Sequence, residues 1–204
     1  KPANMSVSEY EAFISNACYL NKRHPKKEWE ALSNHQANIV NRLNNGQVIQ
    51  FKSNKTNISF SIKGRTWINS DGKRNMPSGE VFTSPVESSA SGVVHFDYPS
   101  LLFGEVINDL TLTVDKGVII AWESSTGMAL LNRLFRIDGA NKFGEIAIGT
   151  NTAITKPTLN TLFDEKIGGT IHMAVGASYP ETGGKNKSSI HHDFVTQFDV
   201  ESRI

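Results

Sequence analysis

The sequence predicts an α+β fold, a predominantly antiparallel sheet or open barrel with flanking helices. Apolar residues recur at helical spacing through the first 43 positions. From Val48 the repeat shortens from about 3.6 to about 2 residues. The compact turn Asp115, Lys116, Gly117 joins two successive strand signals, so antiparallel pairing is the economical arrangement.

The first helix starts where Ser6 and Glu9 can close a capping box. Tyr10, Phe13, Ile14, Ala17 and Leu20 then share one stripe. Pro25 breaks or restarts the chain, and Trp29, Leu32, Ile39, Val40 and Leu43 form a second stripe that Asn44, Asn45 and Gly46 end. Residues 1–46 are therefore expected to be a helical segment packed on a strand-rich domain, 47–204. Within that domain Ile58, Phe60 and Ile62 alternate with Asn57, Ser59 and Ser61, a strand with one buried face. Segments 93–96, 106–114 and 118–122 continue the strand signal. A third helix is expected from Met128 to Phe135, and Glu145 to Ile148 reads as extended. Glycines surround His172 and Tyr179, allowing the tight turns and close backbone approach that a small polar cavity needs.

At 204 residues the chain is long enough for one domain with a real core. Its single cysteine, Cys18, rules out an internal disulfide and a cysteine-rich zinc site, so any metal must be held by histidine and carboxylate. No apolar run approaches the roughly 20 residues of a membrane span. With no signal-peptide pattern at its start, the chain is expected to be cytoplasmic, without a membrane partner. The net charge of +1 conceals asymmetry: residues 1–74 carry 12 basic and 5 acidic side chains, the remainder 9 and 15. The acidic part also holds His95, His172, His191 and His192, so cations would be drawn there. The basic run Lys22, Arg23, Lys26, Lys27 is short and lacks interleaved aromatics, which argues against nucleic acid.

In the segment Ile190 to Phe194, a strand would point His191 and Asp193 to one side and His192 to the other. Glu80 follows Gly79 and precedes Val81 and Phe82; Glu145 lies between Gly144 and Ile146. An isolated buried carboxylate must pair with a cation, keep its proton or bind metal. By spacing alone His172 reads as a core histidine or one exposed on a half-buried strand, Tyr179 as a packing residue, and Lys166 as a salt-bridge partner or a stabiliser of developing negative charge. Neither a G-x-S-x-G motif, a phosphate-binding glycine loop nor HExxH is present.

Five ordered blocks go further: SIKGRTW at 61–67, SDGKRNMPSGEVFTSPVE at 70–87, GEIAIGTN at 144–151, FDEKIGGTIHMAVGASYPETGG at 163–184 and SSIHHDF at 188–194. By these the sequence resembles the M29 metallo-aminopeptidases, the thermophilic aminopeptidase family, over nearly its whole length. The resemblance implies two divalent metal ions, zinc, cobalt or manganese, held by Glu80, Glu145, His172, Tyr179, His191 and Asp193. A tryptophan common in the family is His192 here, on the side facing away from the metals. It further implies a metal-activated water that hydrolyses the N-terminal residue from short peptides, with Glu145 the favoured general base and Glu80 the alternative. Full-length members look like two-domain homodimers, so the chain is expected to lack the N-terminal domain and to be truncated after Glu201 to Ile204. The alternative is a catalytically inactive domain serving only assembly or interaction.

Overall fold

A computed structural model describes residues 3–198. The stretch 199–204, where a truncation is expected, lies outside the described residues. Helix α1 (Val7–Ala17) opens with the capping box: Glu9 N donates to Ser6 Oγ, and Ser6 N donates to Glu9 Oε2 at 2.7 Å. It docks Tyr10 and Phe13 on Phe163. Leu20 leaves the expected stripe and is exposed, because the helix has ended and Tyr19 (φ 57°) turns the chain into the left-handed region. Helix α2 (Pro25–Leu43) begins at Pro25, whose fixed φ suits a first helical turn, so the proline starts this helix. Ile39, Val40 and Leu43 pack on the main core.

The strands are β1 (Val48–Lys52), β2 (Asn57–Ser61), β3 (Ile68–Ser70), β4 (Glu80–Thr83), β5 (Ser91–Phe96), β6 (Ser100–Leu102), β7 (Glu105–Ile107), β8 (Leu110–Asp115), β9 (Val118–Glu123), β10 (Phe143–Gly149), β11 (Thr170–Gly176) and β12 (His191–Gln197). Helix α3 (Met128–Leu134) precedes β10, and the single turn α4 (Thr161–Asp164) precedes β11. The expected strand 106–114 is divided: Asn108 and Asp109 (φ 50°) turn the chain, so β7 closes a hairpin with β6 while β8 enters a sheet.

All paired strands run antiparallel, in two five-stranded sheets ordered β1-β2-β5-β8-β9 and β12-β11-β10-β4-β3. The sheets share one apolar core, where Phe60 meets Phe143 at 5.7 Å between ring centroids and Phe96 meets Phe194 at 5.6 Å.

Candidate metal centre

The second sheet has two buried faces. Val81, Ile146, Ile171, Met173, Val175 and Phe194 face the shared core. Strand alternation turns Glu80, Glu145, His172, His191 and Asp193 to the opposite face. Register brings them together: Glu145 pairs with Ala174, Ala174 with Asp193, and Ala147 with His172. Alanine at these central positions leaves space into which the longer side chains converge.

The glycine before each glutamate has a steric reason. A Cβ on Gly79 (φ 124°) would stand 2.6 Å from the Asn151 Cβ, and one on Gly144 would stand 2.1 Å from the Ala177 carbonyl oxygen. Gly144 also lies in the β10 bulge, between Phe143 on the core face and Glu145 on the other. From outside the sheet, Gln36 of α2, fully buried, donates from Nε2 to the carbonyl oxygens of Glu80 and Ser70 and fixes the β4 backbone.

His172 Nε2 lies 3.0 Å from Glu80 Oε2 and 3.5 Å from Glu145 Oε1; His191 Nε2 lies 3.3 Å from Glu145 Oε2 and 3.9 Å from Asp193 Oδ2. Glu80, Glu145, His172 and Asp193 are buried. Two donor triads result, Glu80–Glu145–His172 and Glu145–His191–Asp193, each with ligand atoms within 4.8 Å of one another. Glu145 belongs to both and directs one oxygen toward each histidine.

Despite their proximity, Glu80 Oε2 and His172 Nε2 have no hydrogen-bond partner, nor does Asp193 Oδ1. Donor atoms that approach without aligning on one another are arranged as ligands around a common cation, and leaving them orphaned in a buried site is costly. Electrostatics agree. Burial alone would lower the His172 imidazole, but the Glu145 and Glu80 carboxylates beside it and the Asp193 charge outweigh that and hold it well above its usual range. His191, opposed by burial in the same way, is pushed up to about 9 by Glu145 and Asp193. Burial and the charges of Asp193 and Glu80 raise Glu165, while burial and the same carboxylate cluster raise the Tyr179 phenol. Only Glu80 moves down, to about 2, because Lys166 and His172 overcome its desolvation. The cluster is short of positive charge, and its donors form a metal-binding site with ligands for two ions.

Of the six residues the sequence analysis singles out as ligands, five converge in these triads. Tyr179 lies beside them, its ring 4.9 Å from that of His191 and 5.3 Å from that of Phe82, half-exposed at the cavity mouth. His192 points away, its Nε2 2.7 Å from Ser100 Oγ, tying β12 to the β6–β7 hairpin. Lys166 is fully buried, and its Nζ lies 2.9 Å from Glu80 Oε1. Glu165 is the residue that sequence reasoning missed: it completes a third triad with His172 and Asp193 and is hydrogen-bonded to Lys166. The signal available was its place beside Lys166 in the FDEKIGG block. The triads open into a cavity of about 490 Å³, lined also by Asp71, Arg74 and Glu181.

The sequence pattern of the thermophilic metalloproteases (M29) matches residues 1–201. Aminopeptidase 2 of Geobacillus stearothermophilus is 30% identical over 201 residues, covering 84% of this chain and 48% of that protein. Aminopeptidase T of Thermus thermophilus is 27% identical over 222 residues, covering 95% and 54%. The chain thus spans about half the length of the curated relatives it matches. The solved structure of wild-type AmpT from Thermus thermophilus superposes with a TM-score of 0.74 at 27% identity, over 87% of this chain and 53% of that one. A 2,5-dihydroxypyridine dioxygenase from Pseudomonas putida KT2440 superposes at 0.67 with 18% identity, over 82% and 56%, a likeness of fold alone.

Proposed function

The chain belongs to the thermophilic metalloprotease family M29, and from that premise we propose that the protein is a metallo-aminopeptidase removing the N-terminal residue of short peptides. The observation that carries this reading is the pair of donor triads sharing Glu145 at the floor of a cavity of about 490 Å³, a size suited to a small substrate. The names of the relatives, aminopeptidases throughout, support it.

In this reading Glu80, Glu145, His172, His191, Asp193 and, from the mouth, Tyr179 hold two divalent ions. Carboxylate and imidazole donors suit zinc, cobalt or manganese. Such ions would polarise the scissile carbonyl and bring the pKa of a bound water toward neutrality. Glu145 is the general base, accepting the proton of the attacking water at a carboxylate oxygen and passing it to the leaving amine. Glu80 is the weaker candidate, since Lys166 already engages its Oε1. The free amino terminus of the peptide would meet an ion or a nearby carboxylate, which favours cleavage from the amino end.

We read residues 1–46 as the helical segment of this catalytic unit and 47–204 as its metal-binding part. The longer protein would be a cytoplasmic homodimer with neither nucleic acid nor membrane among its partners. No helix among the described residues is long and apolar enough to cross a membrane.

The test is Glu145→Gln in the metal-loaded protein, assayed on neutral aminoacyl chromogenic substrates. Turnover should fall by about 10²-fold or more even at metal concentrations that saturate the variant, which offset the affinity lost with a ligand shared by both triads. Undiminished turnover would remove Glu145 as the base, and absence of aminopeptidase turnover in the metal-loaded wild type would remove the reading.

A further inference from the structure

Lys166 is the only fully buried lysine or arginine among the described residues. It follows α4, and its backbone is fixed by two hydrogen bonds: its N–H donates to the Phe163 carbonyl, and its carbonyl accepts from Asn151 N–H. The side chain therefore enters the metal centre from a rigid frame. Nζ lies 2.9 Å from Glu80 Oε1 and donates to Glu165 Oε1. One ammonium thus engages two carboxylates of the cluster.

This fixed charge falls unevenly on the two triads. In the His172 triad, Glu80 has one oxygen bound to the ammonium and only Oε2 directed toward His172. The third triad, which shares His172, also has one oxygen of its Glu165 bound to Lys166. In the His191 triad neither Glu145 nor Asp193 forms an ion pair with Lys166. A positive charge beside a cation site opposes loading through direct repulsion and by drawing electron density from the shared ligand.

We propose that Lys166 is a built-in cation that makes the two halves of the centre unequal. The first divalent ion goes to Glu145, His191 and Asp193, and the second enters at Glu80, Glu145 and His172 only at higher concentration. This inference rests on the two-ion reading above. It makes Lys166 a positioning residue that holds Glu80 by one oxygen, and it predicts a protein that passes through a one-ion state as metal becomes scarce.

The test is titration of the metal-free protein with Co²⁺, read by visible absorption and by equilibrium dialysis, together with anomalous scattering from crystals holding one equivalent of Co²⁺. Two binding steps separated by at least about tenfold are expected, with the one-equivalent peak beside His191 and Asp193. Lys166→Met should tighten the second step by about tenfold or more and leave the first within about threefold. Removing the ammonium alone strands the buried Glu80 and half-buried Glu165 carboxylates and can unfold the chain. The double variant Lys166→Met with Glu165→Gln removes one charge of each sign and gives the same readout. Two equal steps in the wild type, or a one-equivalent peak beside Glu80 and His172, overturn the inference while leaving the two-ion reading intact. Failure to bind Co²⁺ overturns both.

Discussion

The two five-stranded sheets share a core and differ on their other faces. In the first, Ile49 and Phe51, Ile58 and Phe60, and Leu110, Leu112 and Val114 point inward, while Lys52, Asp115 and Glu123 remain exposed. The second sheet buries β4 and β11 completely and most of β10 and β12. Its second face carries carboxylates and imidazoles whose desolvation opposes folding. The comparison teaches that stability and chemistry are divided by face: the apolar interface holds the domain together, and the outer face of one sheet carries a charge cluster that only cations can balance.

The largest effect should come from the interface. Phe60→Ala removes a fully buried ring packed against Phe143 and should lower unfolding free energy by about 3–5 kcal/mol in denaturant titrations. Ion affinity of the folded protein should be unchanged; its loss would break the division by face. Next comes Gly144→Ala, whose new methyl would collide with the Ala177 carbonyl and cost about 1–3 kcal/mol. Because Glu145 follows directly, Co²⁺ binding should also weaken, and unchanged affinity would show that the bulge does not aim this carboxylate.

Asp193→Asn sharpens the comparison by reversing its sign. With chelator present, the variant should be more stable than the wild type by about 1 kcal/mol in calorimetry, because one buried charge has gone. With divalent ions present the order should invert. The smallest effect concerns a pair away from the cluster. Burial would raise Glu87, but the Lys185 backbone N–H and Arg65, 2.7 Å away, hold it below its usual 4.5. A carboxylate lowered by folding contributes stability above its unfolded pKa and loses it as pH falls through the native value. The stability gap between wild type and Glu87→Gln should therefore close on acidification below the ordinary carboxylate range. A gap independent of pH would contradict the assignment.

The first sheet was legible because each strand has one dry face, so Ile58, Phe60 and Ile62 announce their period. The second was harder, since strands buried on both faces do not alternate and runs such as Glu145 to Ile148 of β10 carry only an extended signal. Local pattern put His191 and Asp193 on one side of a strand and His192 on the other, as the structure has them. Their meeting with Glu80, Glu145 and His172 is set by strand register across more than a hundred positions, which no local spacing encodes; the ordered sequence blocks supplied it. Glu165 escaped because it lies in the turn after α4, where neither periodicity applies.

The most direct measurement is anomalous diffraction from crystals of this protein saturated with Co²⁺. Two peaks are predicted, one among Glu80, Glu145 and His172 and one among Glu145, His191 and Asp193. A well-ordered cluster without a peak at either place would contradict the account.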